Sequence, residues 1–184
     1  MWKNSKETYG SVSKFLHWLI FILVVCIILP LGYFMGDVAD KPLRSQLVNI
    51  HKLIGLVILV LMLLRLIWAV NNIKPSLPAG TPTWQRWSER WMHFLLYAAL
   101  IVMPVSGWVG SVAGGKSPHL GSINFSLPLA HSKSLSDFAF DDIHIPLAVI
   151  IIILVSIHAL AAFYHHFVKK DDVLRRMLPR IKKD

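Results

Sequence analysis

The sequence predicts an all-α integral membrane protein, a four-helix bundle formed as a single domain over residues 1–184. Three observations carry this. Apolar residues make up 55% of the chain and gather into four long runs with few charges. Basic residues cluster in the segments that flank those runs. Several histidines lie within or at the ends of the runs, where an ionisable side chain is costly and marks a functional position.

The first run, Phe15 to about Met35, carries no charge and is long enough to cross a hydrocarbon layer of about 30 Å. Lys3, Lys6 and Lys14 precede it, as they would a signal peptide. It is longer than a signal core and no small-residue cleavage site closes it, so it reads as a retained helix. The second run covers about 47–70 and stops at Asn71, Asn72, Pro75 and Pro78. The third covers about 91–113, holds Pro104 and Gly107, and ends at Gly114 and Gly115. A bend at Pro104 is expected there. The fourth covers about 144–168, with Pro146 suited to a first helical turn. Between the runs, 36–46 reads as a short turn and 71–90 as a Pro- and Trp-containing connector. Residues 114–143 read as the longest loop. The basic tail after Val168 is expected to be helical from Asp171 to Met177.

Charge gives an orientation. With both termini on one side, that side holds 14 of the 19 Lys and Arg residues, while the ten acidic residues divide equally. The positive-inside rule then puts both termini in the cytoplasm. Trp18, Trp68, Trp84, Trp87, Trp91 and Trp108 fall near the expected interfaces, as an aromatic belt requires. The formal charge of +9 does not indicate nucleic acid, because the basic residues line apolar runs; anionic lipid headgroups are their expected partners. The single cysteine, Cys26, excludes an intramolecular disulfide, a CxxC redox pair and CxxCH haem attachment.

The chemistry lies with His17, His51, His144 and His158. His144 and His158 are 14 residues apart, about 21 Å along a helix, and share one face because 14 helical steps fall only about 40° short of whole turns. One metal cannot take both; two metals stacked along the helix can. Depth then pairs His17 with His158, and His51 with His144. Imidazoles on facing helices of a bundle suit two non-covalent b-type haems. Zinc is disfavoured, since the four histidines divide between two depths with no Cys or carboxylate beside them. The ordinary alternative for any one of them is an interfacial histidine bonded to backbone or lipid; the paired spacing argues against it for all four.

His93, at the start of the third run, is a further candidate for axial ligation, hydrogen bonding or contact with a quinone, with an ordinary interfacial histidine as the alternative. Arg65 follows His51 by 14 residues and faces the same way, a candidate to pair with a haem propionate, against the ordinary alternative of snorkelling to the headgroups. Lys52 and Arg44 are candidates for the same role at the other depth. Lys41, Arg44, Lys52, Lys116 and Lys133 together suggest an electropositive mouth for a small anion. His165 and His166 read as interfacial anchors, and His119 and His131 as loop residues. Phosphate-loop, zinc-protease and nucleophile-elbow motifs are absent from the sequence.

The segments "YGSVSKFLHWLIF", "NIHKLIGLVILVLMLLRLIW", "WMHFLLYAALIVMPVSGW" and "DIHIPLAVIIILVSIHALAAFYHHFVKKDDVLRRMLP" resemble the bacterial cytochrome b561 family, which is related to the cytochrome b subunits of nickel–iron hydrogenases. The resemblance implies an inner-membrane cytochrome with two haem b groups, whose axial ligands fall at His17, His51, His144 and His158. One branch of that family oxidises superoxide at the periplasmic side and reduces ubiquinone. Two functional classes follow as expectations. The first is a self-contained oxidoreductase between a periplasmic donor such as superoxide and membrane quinone. The second is an electron-transfer subunit that docks a separate dehydrogenase or carrier protein. A haem-free transporter or scaffold is a third class, opposed by the four histidines.

Overall fold

The computed structural model describes residues 1–78 and 80–179. It is built of four long helices: α1 Ser11–Asp37, α2 Lys41–Val70, α3 Thr83–Ala113 and α4 Lys133–Lys169, all long and apolar enough to span a bilayer. Large apolar side chains such as Val60, Ile67, Ile152, Ile153 and Leu160 face outward along these spans, the inversion expected where the solvent is lipid.

The helices extend beyond the apolar runs that announce them. Asp40 caps α2 by accepting from the Leu43 amide at 3.0 Å, with Pro42 in the first turn, so the helix begins outside the hydrocarbon region. Helix α3 starts at Thr83, and residues 83–90 form a helical lead-in rich in Trp and Arg. Ser132 caps α4 at Lys133, so the last third of the long loop is helical. The remainder of that loop carries a two-residue antiparallel hairpin, β1 His119–Leu120 with β2 Ile123–Asn124. The tail from Asp171 to Met177 forms turns, not the helix expected. Lys170 adopts a left-handed conformation, φ 55°, which ends α4. Burial alone would raise the Asp171 carboxyl, but hydrogen bonds from His165 and the Val173 amide outweigh it and hold Asp171 below the usual carboxylate range.

Two of the prolines inside spans follow a wider π-helical stretch, whereas Pro104 sits within continuous α-helix in α3. Pro30 comes after Ile22–Ile28, and Pro146 after Phe138–His144. Proline removes a donor and crowds the preceding turn; a π stretch gives the backbone the room and the changed bonding register that this requires.

The core sits at mid-bundle, where Ile20, Val24, Ile28, Ile58, Met62, Ala99, Leu100 and Ile151 interlock. Ile151 is seven residues from both His144 and His158 and only 1% exposed. Helices α1, α2, α3 and α4 pack in that order, each against the next. Close backbone approach of α4 to α1 or α2 is nearly lacking among the described residues. At one end of the bundle the N-terminal segment, the 71–78 connector and the C-terminal turns are stitched together. Asn4 donates to the Ile73 carbonyl, the Ser76 amide to Lys6, Lys14 to Leu178 and Trp18 to Met177. The hairpin loop covers the other end.

Candidate functional site

Two histidine pairs meet across the gap between α4 and the facing helices α1 and α2. The His17 and His158 ring centroids lie 6.2 Å apart, and those of His51 and His144 also 6.2 Å. A metal–imidazole bond of about 2 Å, added to the half-width of each ring, sets two imidazoles on opposite sides of one metal roughly 6 Å apart between centroids. Both pairs match that spacing. Among the described residues no three His, Cys, Asp or Glu side chains converge as a closed metal cage. Two-ligand sites of this kind suit a metal that brings its remaining ligands with it, as a porphyrin does.

At the hairpin end, His144 is aimed by α3. Its Nδ1 lies 3.0 Å from the Met103 carbonyl oxygen, which can only accept. Nδ1 therefore carries the proton, and Nε2 presents a lone pair, the tautomer that ligates metal. Ser106 donates to the same carbonyl at 2.7 Å. Gly107 makes room for the ring, since a Cβ there would stand 2.7 Å from His144 Cε1. Across the gap, a Cβ at Gly32 would stand 3.0 Å from His51 Cε1. The buried His51 Nδ1 has no hydrogen-bond partner among the described residues. An orphaned buried ring nitrogen points to a partner beyond the protein's own atoms.

At the termini end, His17 Nδ1 lies 2.9 Å from an Arg65 guanidinium nitrogen, and Arg65 also stacks 5.6 Å over the Tyr97 ring. Arginine only donates, so here His17 Nδ1 accepts and its Nε2 holds the proton. Ligation through Nε2 needs the other tautomer, and so a different partner for Arg65. A carboxylate such as a haem propionate is the partner a guanidinium prefers. His93 lies 5.5 Å from His158, ring to ring, and its Nδ1 donates to the Glu89 carbonyl at 2.7 Å. Glu89 in turn pairs with Lys74.

The other sequence-derived candidates divide. Lys52 donates to the Lys116 carbonyl at 2.7 Å, binding the loop instead of reaching the histidine pair. Asn49 and His119 exchange two hydrogen bonds, at 2.8 and 3.0 Å, which fasten the hairpin to α2 two residues before His51. Lys133 pairs with Asp137 on its own helix. His165 is taken by Asp171. The sequence reading did not single out Met103, Ser106, Gly32, Tyr97 or Glu89. The Ser106-Gly107 pair within an apolar run was the one available signal, because small residues in membrane helices mark close approach.

A family model described as prokaryotic cytochrome b561 matches residues 8–180. The chain belongs to the prokaryotic cytochrome b561 family. It is 32% identical over 189 residues to cytochrome b561 homolog 2 of Escherichia coli (strain K12), covering 98% of this chain and 96% of that protein. To cytochrome b561 homolog 1 of the same organism it is 32% identical over 177 residues, covering 95% and 98%. To the probable superoxide oxidase CybB of Yersinia pestis it is 29% identical over 184 residues, covering 95% and 97%. As a cytochrome b561 the chain is a multi-pass membrane electron-transfer protein with haem b as its cofactor. The two histidine pairs fit that group in spacing and burial, and His144 presents the ligating tautomer.

Proposed function

We propose that this cytochrome b561 carries two haem b groups and moves electrons through the membrane from a periplasmic donor, superoxide in the first instance, to a membrane quinone. The observation that carries this reading is the pair of 6.2 Å imidazole spacings, one toward each end of the bundle. His17 with His158, and His51 with His144, would hold the two groups. Haem iron supplies a one-electron couple whose potential the axial ligands and their hydrogen bonds tune. The Met103 carbonyl holds the His144 tautomer; Arg65 is placed to take a propionate at the other site; His93, whose Nδ1–H is held by the Glu89 carbonyl, is placed to accept a hydrogen bond beside it. Ile151 and its neighbours fill the space between the sites and keep water out of it. The termini end, with its basic excess, would face the cytoplasm. Superoxide as donor is supported by the name of the Yersinia pestis relative and by the lysines at the hairpin end.

The test is a reduced-minus-oxidised visible spectrum of the purified protein with a haem-to-protein ratio. Two six-coordinate low-spin b haems per chain are expected. His144→Ala should remove only the haem at the hairpin end and leave one per chain. A single haem in the wild-type protein would mean that one pair is not a ligand pair.

A further inference from the structure

The hairpin loop is unlike the other connectors. Residues 117–132 hold no Asp, Glu, Lys or Arg, whereas Asp37 and Asp40 mark the first connector and Lys74 the second. Large apolar side chains of that loop are nevertheless exposed: Leu120 at 61%, Ile123 at 60%, and Phe125 and Leu129 beside them in sequence. The register explains the first two. Leu120 pairs with Ile123 across the strands, joined by a turn in which Gly121 takes a left-handed conformation, φ 57°. Residues directly opposite in an antiparallel pair put their side chains on one face, so Leu120 and Ile123 project together.

Two anchors fix the depth of this face. Trp108 donates its indole N–H to the Phe125 carbonyl at 2.8 Å. Trp108 lies five residues before the end of α3 at Ala113, roughly 7–8 Å of helical rise. Asn49 holds the His119 backbone from within the apolar run of α2. The hairpin is therefore drawn down beside the spans instead of standing above them. Ile50, next to Asn49, and Val105, one turn before Trp108, are exposed apolar side chains of those spans. Leu120 and Ile123 carry that lipid-facing surface onto the loop.

We infer that the hairpin face bearing Leu120 and Ile123 is seated in the headgroup boundary of the leaflet at that end of the bundle, with phospholipid as its partner.

The depth is bounded from both directions. Apolar side chains gain by entering the upper acyl chains, which draws the face down. Strands of two residues cannot pair every backbone N–H and C=O group of the loop, and hydrocarbon satisfies none of them, so the backbone stays at the hydrated boundary. A soluble partner protein is steered by charge, and the charges nearest this loop are engaged within the chain. Lys52 donates to the Lys116 carbonyl, and Lys133 pairs with Asp137. Through Asn49 and Trp108, the lipid-seated hairpin braces the stretches of α2 and α3 that carry His51 and Gly107.

The experiment uses the full-length holoprotein in nanodiscs of phosphatidylethanolamine and phosphatidylglycerol. In a Cys26→Ala background, Leu120→Cys, Ile123→Cys and Ser134→Cys each carry a nitroxide label, and an unchanged visible spectrum verifies the fold. Power saturation compares molecular oxygen, which concentrates in lipid, with a water-soluble nickel chelate. At positions 120 and 123 oxygen should relax the label several-fold more effectively than the chelate. At position 134, beside the exposed Lys133, the order should reverse. Chelate access at 120 and 123 equal to that at 134 puts the face in water and overturns the inference. Poor access of both reagents means that protein covers the face, a second copy or another partner, and overturns it as well. A measurement on the wild-type holoprotein stands beside these variants. A phospholipid with a diazirine high in its acyl chain should, on photolysis, form adducts within residues 117–129. Adducts confined to the spans overturn the inference even where a cysteine variant fails to fold.

Discussion

His144 shows how a single ligand position is built. The ring lies at the end of a π-helical stretch, and three features of α3 fix it: an accepting carbonyl at Met103, the Ser106 hydroxyl sharing that carbonyl, and the missing side chain of Gly107. The glycine is the most sensitive of these. Gly107→Ala would push a methyl group to 2.7 Å from a ring held between two helices, so either the ring or the helix must shift. A cost of about 1–3 kcal/mol is expected from such overpacking. Haem content should fall toward one per chain, with the remaining signal from the His17–His158 site. Gly55→Ala is the control. Its Cβ would meet Ile28 at an ordinary 3.9 Å, and helix propensity favours alanine by up to about 1 kcal/mol. That variant should keep both haems and melt no lower than wild type. Equal haem loss in both would show that the close approach at Gly107 has no special role.

At the scale of elements, the sequence makes the spans legible and leaves the helix lengths obscure. Hydropathy reports which residues meet lipid, and it identifies four spans because their outer faces are apolar on every side. It says nothing of helix that continues into water, as at 41–46, 83–90 and 133–143; those stretches rest on Asp40, Pro82 and Ser132 at their starts. The π stretches before Pro30 and Pro146 were equally invisible, since they answer to backbone geometry instead of side-chain pattern. The pairing of histidines was legible because a 14-residue spacing fixes both depth and face. The loop from 114 to 132 was not, because its attachments run through backbone: Asn49 to His119, Lys52 to the Lys116 carbonyl, and Trp108 to the Phe125 carbonyl. Asn49 holds the hairpin with two hydrogen bonds. Asn49→Ala should therefore cost about 1–2 kcal/mol of local stability. Hydrogen exchange should quicken by on the order of tenfold at residues 117–125, while the α2 and α3 spans stay protected. No change in the hairpin would mean that Trp108 and Lys52 suffice to hold it.

For the whole molecule, the two ends differ in kind. The termini end is woven from three separate segments, with Trp68 donating to Ser13, Thr8 to the Arg176 carbonyl, and Arg176 to the Ser76 carbonyl. These bonds require the N-terminal segment, the 71–78 connector and the C-terminal turns to lie on one side of the membrane. The basic excess lies in the same segments, so packing and charge select one topology together. The insertion rule acts through Lys and Arg in short flanks, and Lys3, Lys6, Lys74, Lys169, Lys170, Arg175 and Arg176 all lie at this end. A membrane-impermeant maleimide tests the arrangement. In a Cys26→Ala background, cysteines placed at Ser5 and at Ser76 should label only after the inner membrane is opened. A cysteine at Ser126, in the loop at the other end, should label in spheroplasts without lysis. The proposed electron path depends on this sidedness: the His51–His144 pair faces the periplasmic donor only if Ser126 is outside. Labelling of Ser5 from outside would reverse the path.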